Sequence, residues 1–235
     1  MPEAMPMNDP RSVVKPVRVW DLPTRAFHWI LAATMVGSVI SAKIGGNAMV
    51  WHFRFGYLVF SLLAFRVLWG LVGGRWSRFA SFIYAPSTLL RYVRGQSRAS
   101  EHHDVGHNPL GSLSVFALLG FLAAQVATGL VADDEIASVG PLNRFVSGAL
   151  AGRATHWHKD YGQWILIGLV LLHVAAIVFY LLRKKRNLVR PMIVGDKTLP
   201  SGTPASADSP GTRALALLLA VLCGAGVAWV VGLGG

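Results

Sequence analysis

The sequence predicts an all-α integral membrane protein, a four-helix transmembrane bundle with a fifth transmembrane helix at its C-terminal end. Three observations predict it. Of the 235 residues, 53% are hydrophobic and only 14% charged, and the mean hydropathy of +0.48 is too high for a water-soluble domain of this size. Five apolar runs are each long enough to cross a bilayer, which takes about 20 apolar residues per helix. The basic residues gather in particular loops between those runs.

The runs fall near residues 27–44, 52–72, 110–131, 161–182 and 214–233. Residues 1–16 are polar and rich in Pro and Met. They lack the basic, apolar, small-residue order of a cleavable signal peptide and read as a mobile N-terminal tail. Residues 17–194 hold the first four helices. Pro200, Gly202, Pro204, Pro210 and Gly211 give 195–212 the composition of a flexible linker, so the helix within 213–235 is expected to be an appendage. The single cysteine, Cys223, lies in that last run; one thiol makes no internal disulfide and no Cys-rich metal site, and it is expected to pack as a small residue.

Net charge is +11. Aromatic residues sit inside the apolar runs and not between the basic residues, so the charge reads as membrane orientation and excludes nucleic acid as a partner. Arg11, Lys15, Arg18 and Arg25 precede the first run, Arg75, Arg78, Arg91, Arg94 and Arg98 follow the second, and Arg183, Lys184, Lys185, Arg186 and Arg190 follow the fourth. Those segments, with the N-terminus, are expected on the cytoplasmic side of a bacterial inner membrane. The loop carrying Asp133, Asp134 and Glu135, and the C-terminal Gly235, are expected on the periplasmic side.

Four histidines stand where hydrocarbon makes a polar ring costly: His28, His52, His158 and His173. The partner best suited to neutral imidazoles on facing helices is haem iron. His52 and His158 open the second and fourth runs at one surface and are placed to hold one haem between them. His28 lies near the opposite surface, about 5 Å inside the first run, whereas His173 lies about 15 Å before Arg183; their pairing is not forced by depth. Fifteen positions separate His158 from His173, so in a regular helix they differ by about 60° in direction, whereas His156 differs by about 100° the other way. Arg66 lies fourteen positions after His52, within about 40° of the same face and about 21 Å deeper. A guanidinium at that depth calls for a haem propionate or a buried carboxylate, or else snorkels to the surface.

The run Val19-Trp20-Asp21-Leu22-Pro23-Thr24-Arg25-Ala26-Phe27-His28-Trp29 resembles the opening of the bacterial cytochrome b561 and nickel-hydrogenase b-type cytochrome family. Trp51-His52-Phe53-Arg54-Phe55-Gly56-Tyr57, Arg66-Val67-Leu68-Trp69-Gly70, Arg78-Phe79-Ala80-Ser81-Phe82, Gly106-His107-Asn108-Pro109-Leu110-Gly111 and Leu172-His173-Val174 are similar to the family's later motifs, in its order. The resemblance implies a four-helix transmembrane bundle binding two haem b groups, each with two axial histidines. It pairs His28 with His173, and His52 with the histidine that opens the fourth helix. Family members usually show the two fourth-helix ligands fourteen positions apart, the place of Lys159 here. The resemblance also implies that His107, in a loop with His102 and His103, is no ligand and serves in capping or loop packing.

Two axial histidines saturate an iron and suit one-electron transfer rather than substrate binding at the metal. The leading expectation is therefore an electron carrier. The resemblance implies exchange between a periplasmic redox partner (a c-type cytochrome, dehydrogenase or hydrogenase) and the quinone pool, with ubiquinone or menaquinone as acceptor or donor. Asp133, Asp134 and Glu135 are candidates for docking a basic periplasmic partner. The alternatives are a stand-alone superoxide:quinone oxidoreductase, with Lys43, Arg54, Arg153 and Lys159 attracting the anion, and a haem-free helical scaffold. Gly224, Ala225 and Gly226 would allow close helix approach and, through it, a homodimer.

Overall fold

In a computed structural model, residues 13–97, 105–136 and 138–234 are described. Five helices among them are long and apolar enough to cross a membrane. Helix α1 spans Leu22–Ile44 and α2 spans Met49–Val72; the short α3, Pro86–Val93, leads to α4, Pro109–Val131. Then α5, Gly148–His156, runs through a wide turn at Trp157–Gly162 into α6, Gln163–Leu182. The short α7, Val189–Val194, precedes α8, Pro210–Gly232.

The starts are set by local chemistry. Asp21, Asn108, Ser147 and Ser209 each cap a helix by accepting a backbone N–H three residues on, and Pro stands in the first turn of α1, α4 and α8, where no N–H is needed. The fourth span begins at Gly148, well before the start near 161 expected from hydropathy. At 35 residues it is about 52 Å long, well over the roughly 30 Å hydrocarbon core, so its first turns, with Arg153, Lys159 and Asp160, fall in the excess.

Helices α1 and α2 pack along each other, and α4 packs along α6. Among the described residues α6 scarcely approaches the backbones of α1 and α2. A cluster of Val59, Leu63, Leu122 and Leu166 closes the middle of the bundle. Exposed leucines such as Leu171, Leu172, Leu217 and Leu218 cover the outside, an apolar coat suited to lipid.

Two expectations about the termini are corrected. The segment expected as a flexible linker is structured: strand β1, Val14–Arg18, pairs antiparallel with β2, Asp196–Pro200, from Val14 opposite Pro200 to Arg18 opposite Asp196. Part of the expected tail is thereby a strand, and residues 1–12 lie outside the described residues. Ser206 is buried, its Oγ donating to Val19 O at 2.7 Å and its N to Arg18 O at 2.7 Å. Nor is α8 an appendage. It lies along α2 and touches α1, and Ala216 and Cys223 are buried against Phe27, Phe65 and Trp69. Proline and glycine mark turns as readily as linkers, and the partner of β2 lies about 180 residues away, beyond any local pattern.

Asp208 ties these parts together. Its Oδ1 accepts from Leu22 N at 3.2 Å and from Arg213 Nε at 2.9 Å, and its Oδ2 faces Arg18 Nη1 at 3.5 Å and Arg25 Nη2 at 4.0 Å. Burial works to raise the Asp208 pKa, but the hydrogen bonds from Arg213 and Leu22 and the surrounding arginines prevail and hold it below the usual carboxylate range. A carboxylate depressed on folding stabilises fully above its unfolded pKa of about 3.9 and loses that contribution as pH falls through the lower folded value. Limited proteolysis within 200–205 is therefore expected to accelerate below about pH 4. Asp208→Asn should cleave fast at neutral pH already.

Gly70 allows Phe79 to lie against α2; a Cβ there would overlap the Phe79 ring. Gly70→Ala is expected to cost about 1–3 kcal/mol as an overpacked site. Thermal unfolding of the purified protein in detergent would show it.

Candidate functional site

The two ends of the bundle each bring a pair of histidines together. His52, in the first turn of α2, and His158, in the wide turn, have ring centroids 6.0 Å apart. His28, in the second turn of α1, and His173, in the middle of α6, have centroids 6.5 Å apart. Because α1 begins at Leu22, His28 lies about 9 Å inside its helix, which removes about half of the expected depth mismatch with His173.

Hydrogen bonds fix the rings of the first pair. His52 Nδ1 donates to Ser38 O at 3.0 Å, and His158 Nδ1 donates to Gln125 O at 2.9 Å. A carbonyl only accepts, so Nδ1 carries the proton in each and Nε2 keeps its lone pair for a metal. Gly129 of α4 makes room, since a Cβ there would stand 2.9 Å from His158 Cε1. In the second pair His28 Nδ1 is buried with no partner among the described residues.

The wide turn settles which face the fourth span presents. Its i→i+5 pattern takes up one more residue than an α-turn. Fifteen positions then behave as about fourteen, turning His158 to within about 40° of His173 and His156 to the opposite side. His156 is indeed turned outward, with its Nδ1 2.6 Å from Asp160 Oδ2 and its side chain 62% exposed.

Arg66 is buried, 3% exposed, on α2. Its Nη2 donates to Ser77 O at 3.1 Å, its Cζ lies 4.5 Å from the Phe79 ring centre, and its Nη1 has no partner among the described residues. It does not snorkel to the surface. His107 packs between the rings of Trp20, at 4.7 Å, and Phe82, at 4.5 Å, in the loop-packing role expected of it. Burial first, then the charges of Arg66 and Lys197, push its pKa down to about 3, which keeps it neutral. His102 and His103 lie outside the described residues.

Sequence reasoning passed over Asp21, which is fully buried. It accepts from Thr24 N at 2.8 Å, Trp69 Nε1 at 3.2 Å, Gly74 N at 3.2 Å and Ser77 Oγ at 2.6 Å, joining the start of α1 to the end of α2. A capping pattern in Asp21-Leu22-Pro23-Thr24 was the available signal, and it reports one bond of the four. Asp133, Asp134 and Glu135 form a tight turn in which Asp133 Oδ1 accepts from Glu135 N and Asp134 Oδ1 from Ile136 N and Ser138 N.

The residues fit haem. Two imidazole nitrogens each about 2 Å from one metal ion stand about 4 Å apart, and adding the reach from nitrogen to ring centre brings the centroids to about 6 Å. Both pairs match that separation, across the gap where α6 stands off from α1 and α2. No group of three or more His, Cys, Asp or Glu residues suited to a bare metal ion occurs among the described residues, whereas haem needs no more than one or two ligands from the protein.

The family model of the prokaryotic cytochrome b561 matches residues 19–195. The chain belongs to the prokaryotic cytochrome b561 family. It is a multi-pass membrane b-type cytochrome, an electron-transfer protein of the haem b class. It is similar, at 24% identity over 218 residues, to a probable Ni/Fe-hydrogenase B-type cytochrome subunit of Cupriavidus necator, covering 79% of this chain and 88% of that one. A probable Ni/Fe-hydrogenase B-type cytochrome subunit of Rhizobium leguminosarum is 22% identical over 213 residues, covering 77% and 88%. A probable Ni/Fe-hydrogenase 1 B-type cytochrome subunit of Escherichia coli K12 is 25% identical over 190 residues, covering 66% and 80%. No solved structure matches the chain.

Proposed function

We propose that this cytochrome b561 holds two haem b groups, one between His52 and His158 and one between His28 and His173, and conducts electrons across the membrane between a hydrogenase and the quinone pool. The observation that carries the reading is the pair of histidine separations, 6.0 and 6.5 Å, at opposite ends of one bundle. Haem would supply a one-electron couple, and each pair of histidines would hold one group. The chain's residues do the rest. Ser38 and Gln125 orient the imidazoles of one site, and Arg66 would offer its Nη1 to a haem carboxylate at the other level.

The hydrogenase partner follows from the names of the relatives, whose lengths this chain largely spans. The distribution of Lys and Arg supports an arrangement with the N-terminus and the His28/His173 site toward the cytoplasm, and His52/His158 toward the periplasmic donor. Asp133, Asp134 and Glu135 lie on the same side as the His52/His158 site. If they steer a basic partner, raised salt and Asp134→Asn should each slow electron delivery; indifference to both would end that idea.

Reduced-minus-oxidised spectra with haem quantitation on wild type, His28→Ala and His52→Ala test the main reading. Two haems in the wild type, with each substitution removing a spectroscopically different one, are expected. No haem in the wild type, or one haem lost equally in both variants, would overturn it.

A further inference from the structure

Gln125 is the residue of α4 most closely engaged with the candidate ligand His158, and it is engaged twice. Its backbone O accepts from His158 Nδ1 at 2.9 Å, and its side-chain Nε2 donates to His158 O at 2.8 Å. The two bonds run in opposite directions between the same two residues, on elements more than thirty positions apart. Together they hold both the ring and the backbone of His158 against α4.

The surroundings are shaped to this clasp. His158 lies in the wide turn, where the helix takes up an extra residue and the regular α-helical ladder no longer fixes the facing of each side chain. Gly162 ends that turn, and a Cβ there would overlap Gln125 Oε1 and stand 3.0 Å from Trp157 Nε1. Thr128, one turn along α4, places its Oγ1 3.3 Å from the same Nδ1. By contrast, among the described residues none bonds the buried His28 Nδ1 at the other site.

We propose that Gln125 is a positioning residue for the His52/His158 haem, acting through His158 by fixing its tautomer, its ring direction and the register of the wide turn. This rests on His158 being an axial ligand. Outer partners of a metal-binding histidine typically contribute 10–100-fold to affinity for the metal. Gln125→Leu keeps the backbone acceptor and the approximate volume but loses the amide clasp, and Gly162→Ala leaves Gln125 chemically intact while displacing its side chain.

The test follows haem transfer from the detergent-solubilised protein to excess apomyoglobin, with His52→Ala identifying the phase that belongs to the His28/His173 site. In both Gln125→Leu and Gly162→Ala the other phase is expected to quicken about tenfold or more, with the His28/His173 phase unmoved. Unchanged kinetics, or both phases quickened alike, would overturn the proposal; Gly162→Ala decides if Gln125→Leu does not fold. Haem content of His158→Ala separates the two levels. If it keeps both haems, the ligand assignment fails; if it loses one while Gln125→Leu and Gly162→Ala behave as wild type, only the role of Gln125 fails.

Discussion

Replacing Asp21 with alanine is expected to cost about 3–5 kcal/mol of stability, the largest effect of any single substitution outside the histidines. The carboxylate is fully buried and accepts from four donors, Thr24 N, Trp69 Nε1, Gly74 N and Ser77 Oγ. Removing it leaves all four unpaired where water does not replace them, each at about 1–3 kcal/mol before relaxation. It also removes a nearby negative charge from the buried Arg66. Asp21 caps α1 seven residues before His28, so the damage reaches the His28/His173 site first. Thermal unfolding should drop steeply in Asp21→Ala, with loss of the haem assigned to that site before the other. Asp21→Asn, which keeps one acceptor oxygen, should fall between the two. Wild-type stability in Asp21→Ala would show that the network relaxes and does not hold the helix ends together.

His158→Ala is expected to remove one haem completely, whereas His156→Ala removes none. The two histidines are two positions apart, and hydropathy treats them alike. The wide turn separates them, directing His158 at His52 across 6.0 Å and leaving His156 outside in contact with Tyr161 and Asp160. Pyridine haemochrome quantitation on the two variants is decisive. A haem lost from His156→Ala and kept in His158→Ala would reverse the assignment.

The two levels of the molecule were legible to different degrees. Hydrocarbon imposes a strong, local and one-dimensional constraint, about 20 apolar residues per crossing, so the five spans are written directly in the chain. The same constraint makes a histidine within a span conspicuous, because its ring needs a partner there. His28, His52, His158, His173 and Arg66 stand out for that reason and not through any contact visible in the sequence. The opening motif from Val19 to Trp29 likewise carries its family on its face.

Tertiary structure decided what depends on two distant segments at once. Asp21 gathers donors from residues 48 to 56 positions away, and Asp208 joins the start of α1 to the start of α8. The β1–β2 pairing turns an expected linker into a strand and carries α8 onto the flank of α2. Most of all, the facing of the fourth span follows from one wide turn. Apolar composition fixes that a segment is helical and how long it must be, yet is nearly indifferent to one extra residue within a turn. Side-chain direction shifts by about 100° with that residue, and only packing against α4, through Gly129 and Gln125, selects the direction that brings His158 to His52.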